Sequence, residues 1–205
     1  MSRVAVVHLD ESCLGNGRKG ENPGGAGGLI ELRGSRRTER RDFYTHDPDS
    51  TNNRMALVGA ALVLRILAAK SHRLQVLMVS DSEYLVKGMR EWAPGWAARG
   101  WIRKAGPIEN LSLWQELALA ARLHDVQWTW VRGHQGHPKN EYANDLAIAA
   151  AREAKTSTGA VESGFLEWLA LKQQKRKFVG YDPDQTFELV ARRIADGESF
   201  ALAEG

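Results

Sequence analysis

Two aspartates stand where apolar runs end. The run "VAVVHLD" closes on Asp10, and "LQVLMVS" is followed by Asp81. Both runs are short, rich in β-branched residues and bounded by turn-forming residues, which predicts buried strands over Val4 to Asp10 and Leu74 to Ser80. If those strands are neighbours, the two carboxylates converge at one edge of a sheet. Converging carboxylates are ligands for a hard divalent cation; a single acid at a strand end more often serves a turn or a cap. Further along the chain, "RGHQGHPKNEYANDLA" places His134 in a glycine-flanked loop and Asn144 and Asp145 on the segment that follows.

The elements that must position these groups follow from pattern. Glycine-rich Gly15 to Gly28 leads into Leu29 to Arg33, and then into Thr38 to Thr45, which predicts three antiparallel strands joined by turns. The polar cluster "HDPDSTNN" offers N-cap side chains at Ser50 to Asn53, ahead of a helix over Arg54 to Lys70 that is apolar almost all round and so buried. After Leu74 to Ser80 come a helix starting at Ser82 and an amphipathic helix over Ile108 to Leu123. An alternating strand over Val126 to Val131 and an alanine-rich helix over Asn140 to Lys155 complete the pattern. The order β-β-β-α-β-α-α-β-α predicts an α/β fold, a mixed sheet flanked by helices. Past Arg152 a polar linker, a helix over Phe165 to Phe178 that ends in basic residues, and a short helix over Asp182 to Gly197 form an extension. We read residues 1–152 as the domain and 153–205 as a docking appendage, dispensable for folding.

With 205 residues the chain can bury a sizeable core without staples. Its one cysteine, Cys13, excludes an internal disulfide and fits a reducing compartment. The first apolar run is broken by His8 and Asp10, too short and polar for a signal peptide or a membrane span, so a cytoplasmic protein without membrane contact is expected. The first 151 residues carry 20 Lys and Arg against 16 Asp and Glu, the remainder 8 against 9, so the net charge of +3 belongs to the motif-bearing part. A mildly basic surface is compatible with a nucleic-acid partner.

Four segments in order, "DESCLGN" (Asp10 to Asn16), "TNNRMAL" (Thr51 to Leu57), "SDSEYL" (Ser80 to Leu85) and "GHQGHPKNEYANDLA" (Gly133 to Ala147), resemble bacterial type 1 ribonuclease H over roughly Val4 to Arg152. The resemblance implies a ribonuclease H-like five-stranded mixed sheet flanked by helices, here with a short helical C-terminal extension. It also implies an endoribonuclease that hydrolyses the RNA strand of RNA/DNA hybrids with two Mg²⁺ ions, or Mn²⁺ in their place. In that family each segment supplies one metal-binding acid. Asp10 would bridge both ions and Asp81 would hold the ion on the leaving-group side, but Ala56 and Asn144 stand where the other two acids are expected. No Asp or Glu occurs between Ser50 and Ser80. Each missing charge at about 4 Å forfeits on the order of 4 kcal/mol at an effective dielectric of about 20, so weak metal occupancy is expected.

Two neighbouring acids are candidate replacements. Asp145 follows Asn144, turned by about 100° around the helix. Glu11 adjoins Asp10, but alternate residues of a strand face opposite ways, so it is expected to point away unless the strand bulges. By resemblance His134 shuttles a proton near the scissile phosphate, giving a catalytic set of Asp10, Asp81, His134 and Asn144. The resemblance also assigns Asn16, Asn52 and Asn53 to the minor groove of the hybrid, where 2′-hydroxyls are displayed. It puts Glu83 where the family has a glutamine, and makes Lys87 to Lys104 a basic protrusion in which Arg90, Trp92, Arg99, Arg103 and Lys104 grip a strand's backbone. The basic run "KQQKRK" of the extension adds backbone grip or is a solvated helix end. The competing reading is a catalytically impaired or inactive protein that binds hybrid or other double-stranded nucleic acid. A monomer is expected in either case.

Overall fold

The structure, a computed structural model, describes residues 4–15, 22–33, 37–69, 72–133 and 136–200. At its centre is β1 (Val4–Cys13), bonded on one side to antiparallel β2 (Gly24–Arg33) and on the other to parallel β4 (Gln75–Ser80). Beyond β2 lies antiparallel β3 (Thr38–Asp47), and beyond β4 lies parallel β5 (Asp125–Trp130). The order β5-β4-β1-β2-β3-β6 makes the sheet mixed. It has six strands, not the five expected. The sixth, β6 (Val161–Glu162), comes from the extension and pairs with Asp42 and Arg41 of β3, covering an edge that would otherwise present unpaired backbone groups. Two residues are too few to leave a pattern in a sequence.

Alternation along β1 sorts the layers. Ala5, Val7 and Leu9 face α1 (Asn52–Ala68), behind which packs α4 (Leu111–Ala121) with the fully buried Trp114. Between β4 and α4 the chain makes α2 (Glu83–Lys87), a π-helical turn (Gly88–Trp92) and α3 (Ala93–Ala98). Thr51 caps α1, its hydroxyl accepting from the Arg54 N–H at 3.3 Å. On the opposite face lies α5 (Pro138–Glu153), which sits directly on the backbone of β2. A Cβ at Gly25 would stand 2.1 Å from the Ala147 carbonyl oxygen, and one at Gly27 2.7 Å from Leu146 Cβ. That approach explains why this stretch, expected as a turn, continues the strand: Gly25 and Gly27 admit the helix, while Gly24 and Gly28 face Met55 and Phe43.

The extension docks on the sheet as a further layer. Helices α6 (Phe165–Gln174) and α7 (Pro183–Ala195) fill the face beside α5, with Phe165 0% and Phe187 1% exposed. Phe187, Ala191 and Ile194 pack on Val4, Val6, Leu77 and Val79, the second face of β1 and β4. A charge cluster, buried except at Asp184, ties the layers together. Glu31 pairs with Arg40 at 3.0 Å and Lys139 at 2.6 Å, and Asp184 of α7 pairs with Arg40 at 2.6 Å. Two acids and two bases leave it neutral, so the extension supplies the charge that balances the cluster. No helix of the described residues is long and apolar enough to cross a membrane.

Candidate active site

The parallel register of β1 and β4 ends at Leu9 opposite Ser80, so Asp10 and Asp81 emerge together at the C-terminal ends of two adjacent strands. Asp10 is 6% exposed. Its carboxylate accepts from Asn140 Nδ2 at 3.0 Å and from the Glu11 N–H at 2.7 Å. Burial first, and then the charge of Asp81, still hold its pKa up at about 8, the two hydrogen bonds opposing them only in part. Asp81 is positioned from below and beside. Trp130 Nε1 donates to its carbonyl at 2.8 Å, and a Cβ on Gly133 would come within 2.1 Å of its Oδ2. The carboxylate therefore rests in space that only glycine leaves open.

Glu11 joins this pair. It is half-buried with its Oε2 out of reach of solvent, and its carboxyl is raised well above the usual range by burial and then by the charges of Asp10 and Asp81, with a hydrogen bond from the Ser82 side chain acting the other way. The β1–β2 register runs through Glu11 without a bulge, so the side chain does face away from that of Asp10, toward α1. That face is where Ala56 lies. A Cβ on Gly59 would meet Leu9 at 2.9 Å, and one on Gly24, which pairs with Cys13, would meet Met55 at 2.7 Å. Ala56, 0% exposed, thus falls over the stretch of β1 that holds Glu11. The helix lacks an acid at the point where the strand provides one.

Two buried oxygens here, Glu11 Oε2 and Asn140 Oδ1, have no hydrogen-bond partner. Unpartnered hard oxygens beside repelling carboxylates fit a divalent cation. Among the described residues no three His, Cys, Asp or Glu side chains stand close enough to form a ready-made metal cage, as like charges without a counter-ion should not. Asn144 is half-buried one turn beyond Asn140, on the same flank of α5.

Other expected residues are placed differently. Asp145, a candidate ligand, turns away from the site: its Oδ2 accepts from Trp168 Nε1 at 2.7 Å and pairs with Lys172 at 3.4 Å, because the rotation along α5 points it at α6. Arg90 donates to the Trp128 and Phe200 carbonyls, each at 3.0 Å, so its guanidinium holds backbone in place of substrate. Trp92 is a packing residue, with its ring 6.0 Å from those of Tyr84 and Trp96. Arg103 closes its own loop through the Gly106 and Pro107 carbonyls, and Glu83 pairs with Lys87 at 2.7 Å on the surface. Arg99 and Lys104 remain exposed around an open hollow with Ile102. Asn52 and Asn53 lie in the first turn of α1, at the same end of the sheet as the acids. Asn16 and His134 lie outside the described residues. Asn140 and Gly133 were missed. Asn140 precedes Asn144 by one helical turn, a spacing that places both on one flank; no comparable signal marks Gly133 as resting on a carboxylate 52 positions earlier in the chain.

Acids at the ends of two adjacent parallel strands, in a mixed sheet with helices on both faces, define the ribonuclease H-like class of α/β folds. The solution structure of the PFV RNase H domain shares that fold, with a TM-score of 0.63 over 75% of this chain and 97% of that one at 18% identity. The RNase H family profile matches residues 2–152, and the chain belongs to that family. It is 39% identical over 150 residues to Ribonuclease H of Stutzerimonas stutzeri (strain A1501), covering 73% of this chain and 92% of the relative. It is 38% identical over 166 residues to Ribonuclease H of Photorhabdus luminescens, covering 80% and 99%. Among solved structures, LC9-RNase H1, described as a type 1 RNase H with the type 2 active-site motif, is 50% identical with a TM-score of 0.77, covering 83% of this chain and 82% of that one. Membership makes this chain a hydrolase acting on nucleic acid, within a family that is generally divalent-metal dependent.

Proposed function

We propose that the chain is an Mg²⁺-dependent endoribonuclease, also served by Mn²⁺, that hydrolyses the RNA strand of RNA/DNA hybrids through Asp10, Glu11 and Asp81. The observation that carries the reading is the gathering of three carboxylates at one rim, Asp10 buried and Glu11 and Asp81 half-buried, with the Ala56 helix over the strand that carries Glu11. Two acids alone would leave two divalent ions poorly compensated; Glu11 adds the third charge, and the Asn144 amide oxygen offers a neutral ligand. Divalent ions bound there supply an activated water and stabilise charge on the leaving oxygen.

The protein's own residues prepare that chemistry. Asn140 donates to one oxygen of Asp10 and fixes the carboxylate's plane. Gly133 leaves room for Asp81 to turn toward Asp10. Asp10, whose pKa is held up at about 8 by burial and the charge of Asp81, would give up its proton for a divalent cation held there. His134 carries protons at the scissile phosphate, while Asn16, Asn52 and Asn53 read the minor groove and Arg99 and Lys104 contact a backbone. The protein acts as a cytoplasmic monomer. The rival reading, a binder that has lost its metals, is disfavoured by the cost of holding together repelling carboxylates, one buried and two half-buried, that a binder does not use. Cleavage of a labelled hybrid in Mg²⁺ and in Mn²⁺ tests the proposal. The wild type should cut, and Glu11→Gln and Asp10→Asn should lose at least about a hundredfold, the scale of removing one electrostatic contact to the transition state. A wild type silent in both metals, or a Glu11→Gln protein as fast as wild type, overturns it.

A further inference from the structure

The extension carries a cluster of bases that the site described above does not use. Lys172 stands in the last turn of α6, and Lys175, Arg176 and Lys177 follow its end, all three exposed and without an ion-pair partner among the described residues. A solvated helix end would account for bases there through the helix dipole. Arg176 and Phe178 both take positive φ, 58° and 56°, a conformation that residues with a Cβ avoid. The turn is held in that form by a set of bonds. Arg176 N–H donates to the Gln173 carbonyl at 2.9 Å and Lys177 N–H to the Lys172 carbonyl at 3.0 Å. Gln173 Nε2 donates to the carbonyls of Phe178 and Tyr181, and the Phe178 ring stacks on Trp168 at 5.9 Å. These bonds form a Schellman cap, which ends α6 with Arg176 in the left-handed conformation and holds the three bases in an ordered turn.

The turn also sits in a telling place. Lys172 lies 4.7 Å over the Trp168 ring, and both side chains fasten on Asp145, the residue next to Asn144 on the helix that lines the site. The exposed bases Arg99 and Lys104 belong to the segment after α3, whose Trp96 packs into the core on the α1 side of the sheet. The basic turn grows from the α5 side. The two basic surfaces therefore flank the sheet from opposite faces. A duplex carries one phosphate charge for about every 1.7 Å of its axis, so one seated at the rim presents phosphates beyond the scissile bond to such a surface.

We propose that the ordered turn Lys175–Lys177, fastened to α5 through Trp168 and Lys172, is a second phosphate-binding surface that grips the backbone of the bound hybrid away from the cleavage site. This rests on the hybrid-cleavage reading above. The test compares the full-length wild type with Lys175→Ala/Arg176→Ala/Lys177→Ala and with the charge-reversed Lys175→Glu/Lys177→Glu. KM and kcat for a hybrid of about 30 base pairs are measured, together with the salt dependence of hybrid binding in EDTA. Each lost phosphate contact should flatten the slope of log K against log salt by roughly 0.9, or about 2 to 3 for the triple variant. KM should rise about tenfold with kcat unchanged, and more in the charge-reversed protein. Unchanged slope and KM in both variants overturn the proposal, as does a fall in kcat alone. A wild type that binds hybrid with a slope that the variants flatten, yet cuts nothing, refutes the cleavage reading and leaves the surface standing.

Discussion

Replacing Asp10 with asparagine should stabilise the metal-free protein, by an amount that grows with pH. In the folded chain burial and the Asp81 charge raise the Asp10 carboxyl from 3.8 to about 8. The folded state thus holds this proton more tightly than the unfolded state, so stability falls as pH rises from about 4 to about 8 and levels off above. Roughly four pH units at about 1.4 kcal/mol each set an upper bound near 6 kcal/mol. Movement of the Asp81 side chain relieves part of it, and about 2–4 kcal/mol is the expected penalty at pH 8. Asparagine has nearly the same shape and no charge to bury. At about 2–4 °C per kcal/mol for a chain of this size, the variant should melt about 10 °C higher at pH 8 in EDTA and about equally at pH 4.5. Thermal unfolding of both proteins across this range supplies the measurement, the difference cancelling the titrating groups that do not sense Asp10. Parallel curves, or a wild type that gains on the variant as pH rises, refute the electrostatic account of the rim.

Other expectations follow from single contacts. Gly133→Ala places a methyl group on the Asp81 carboxylate, so hybrid cleavage should fall at least about tenfold while urea stability changes by no more than about 1 kcal/mol; unchanged kcat contradicts this placement. Ala56→Glu buries a second carboxylate over Glu11 and should cost several kcal/mol without raising activity, whereas Ala56→Glu with Glu11→Ala should recover part of the cleavage lost in Glu11→Ala alone. Arg40→Ala leaves Glu31 with Lys139 as its remaining partner and Asp184 exposed, and should cost about 2–3 kcal/mol in urea unfolding, less than stranding a buried charge. Arg33→Ala, which breaks an exposed pair with Glu188, should cost less than about 1 kcal/mol. Deleting 153–205 should leave an insoluble or molten product, since Phe165 and Phe187 fill the face of the sheet.

Much of this architecture was legible in the sequence because it rests on short-range pattern. The β-branched runs ending at Asp10 and Asp81 mark two strands, and "TNNR" marks the start of α1, since both signals are local. What escaped depends on contacts between distant segments. Gly24 to Gly28 look like a turn until α5 is laid upon Gly25 and Gly27. The extension looks detachable until its phenylalanines are seen to complete a core whose other half lies on β1 and β4. Within the site, the meeting of Asp10 and Asp81 followed from strand ends, but Asp145 was decided by a tryptophan 23 residues on. Alternation predicted correctly that Glu11 points away from Asp10. It could not show that the opposite face is the one where Ala56 leaves space.

The claim that Glu11 completes a carboxylate rim for divalent metal is tested most directly by titrating Mn²⁺ into the wild type and Glu11→Gln at pH 8, followed by electron paramagnetic resonance. The wild type should bind the ion, and loss of one carboxylate charge should weaken binding at least about tenfold with the fold intact. Equal affinity in the two proteins would show that Glu11 is a buried bystander and that the rim holds no more than the two acids Asp10 and Asp81.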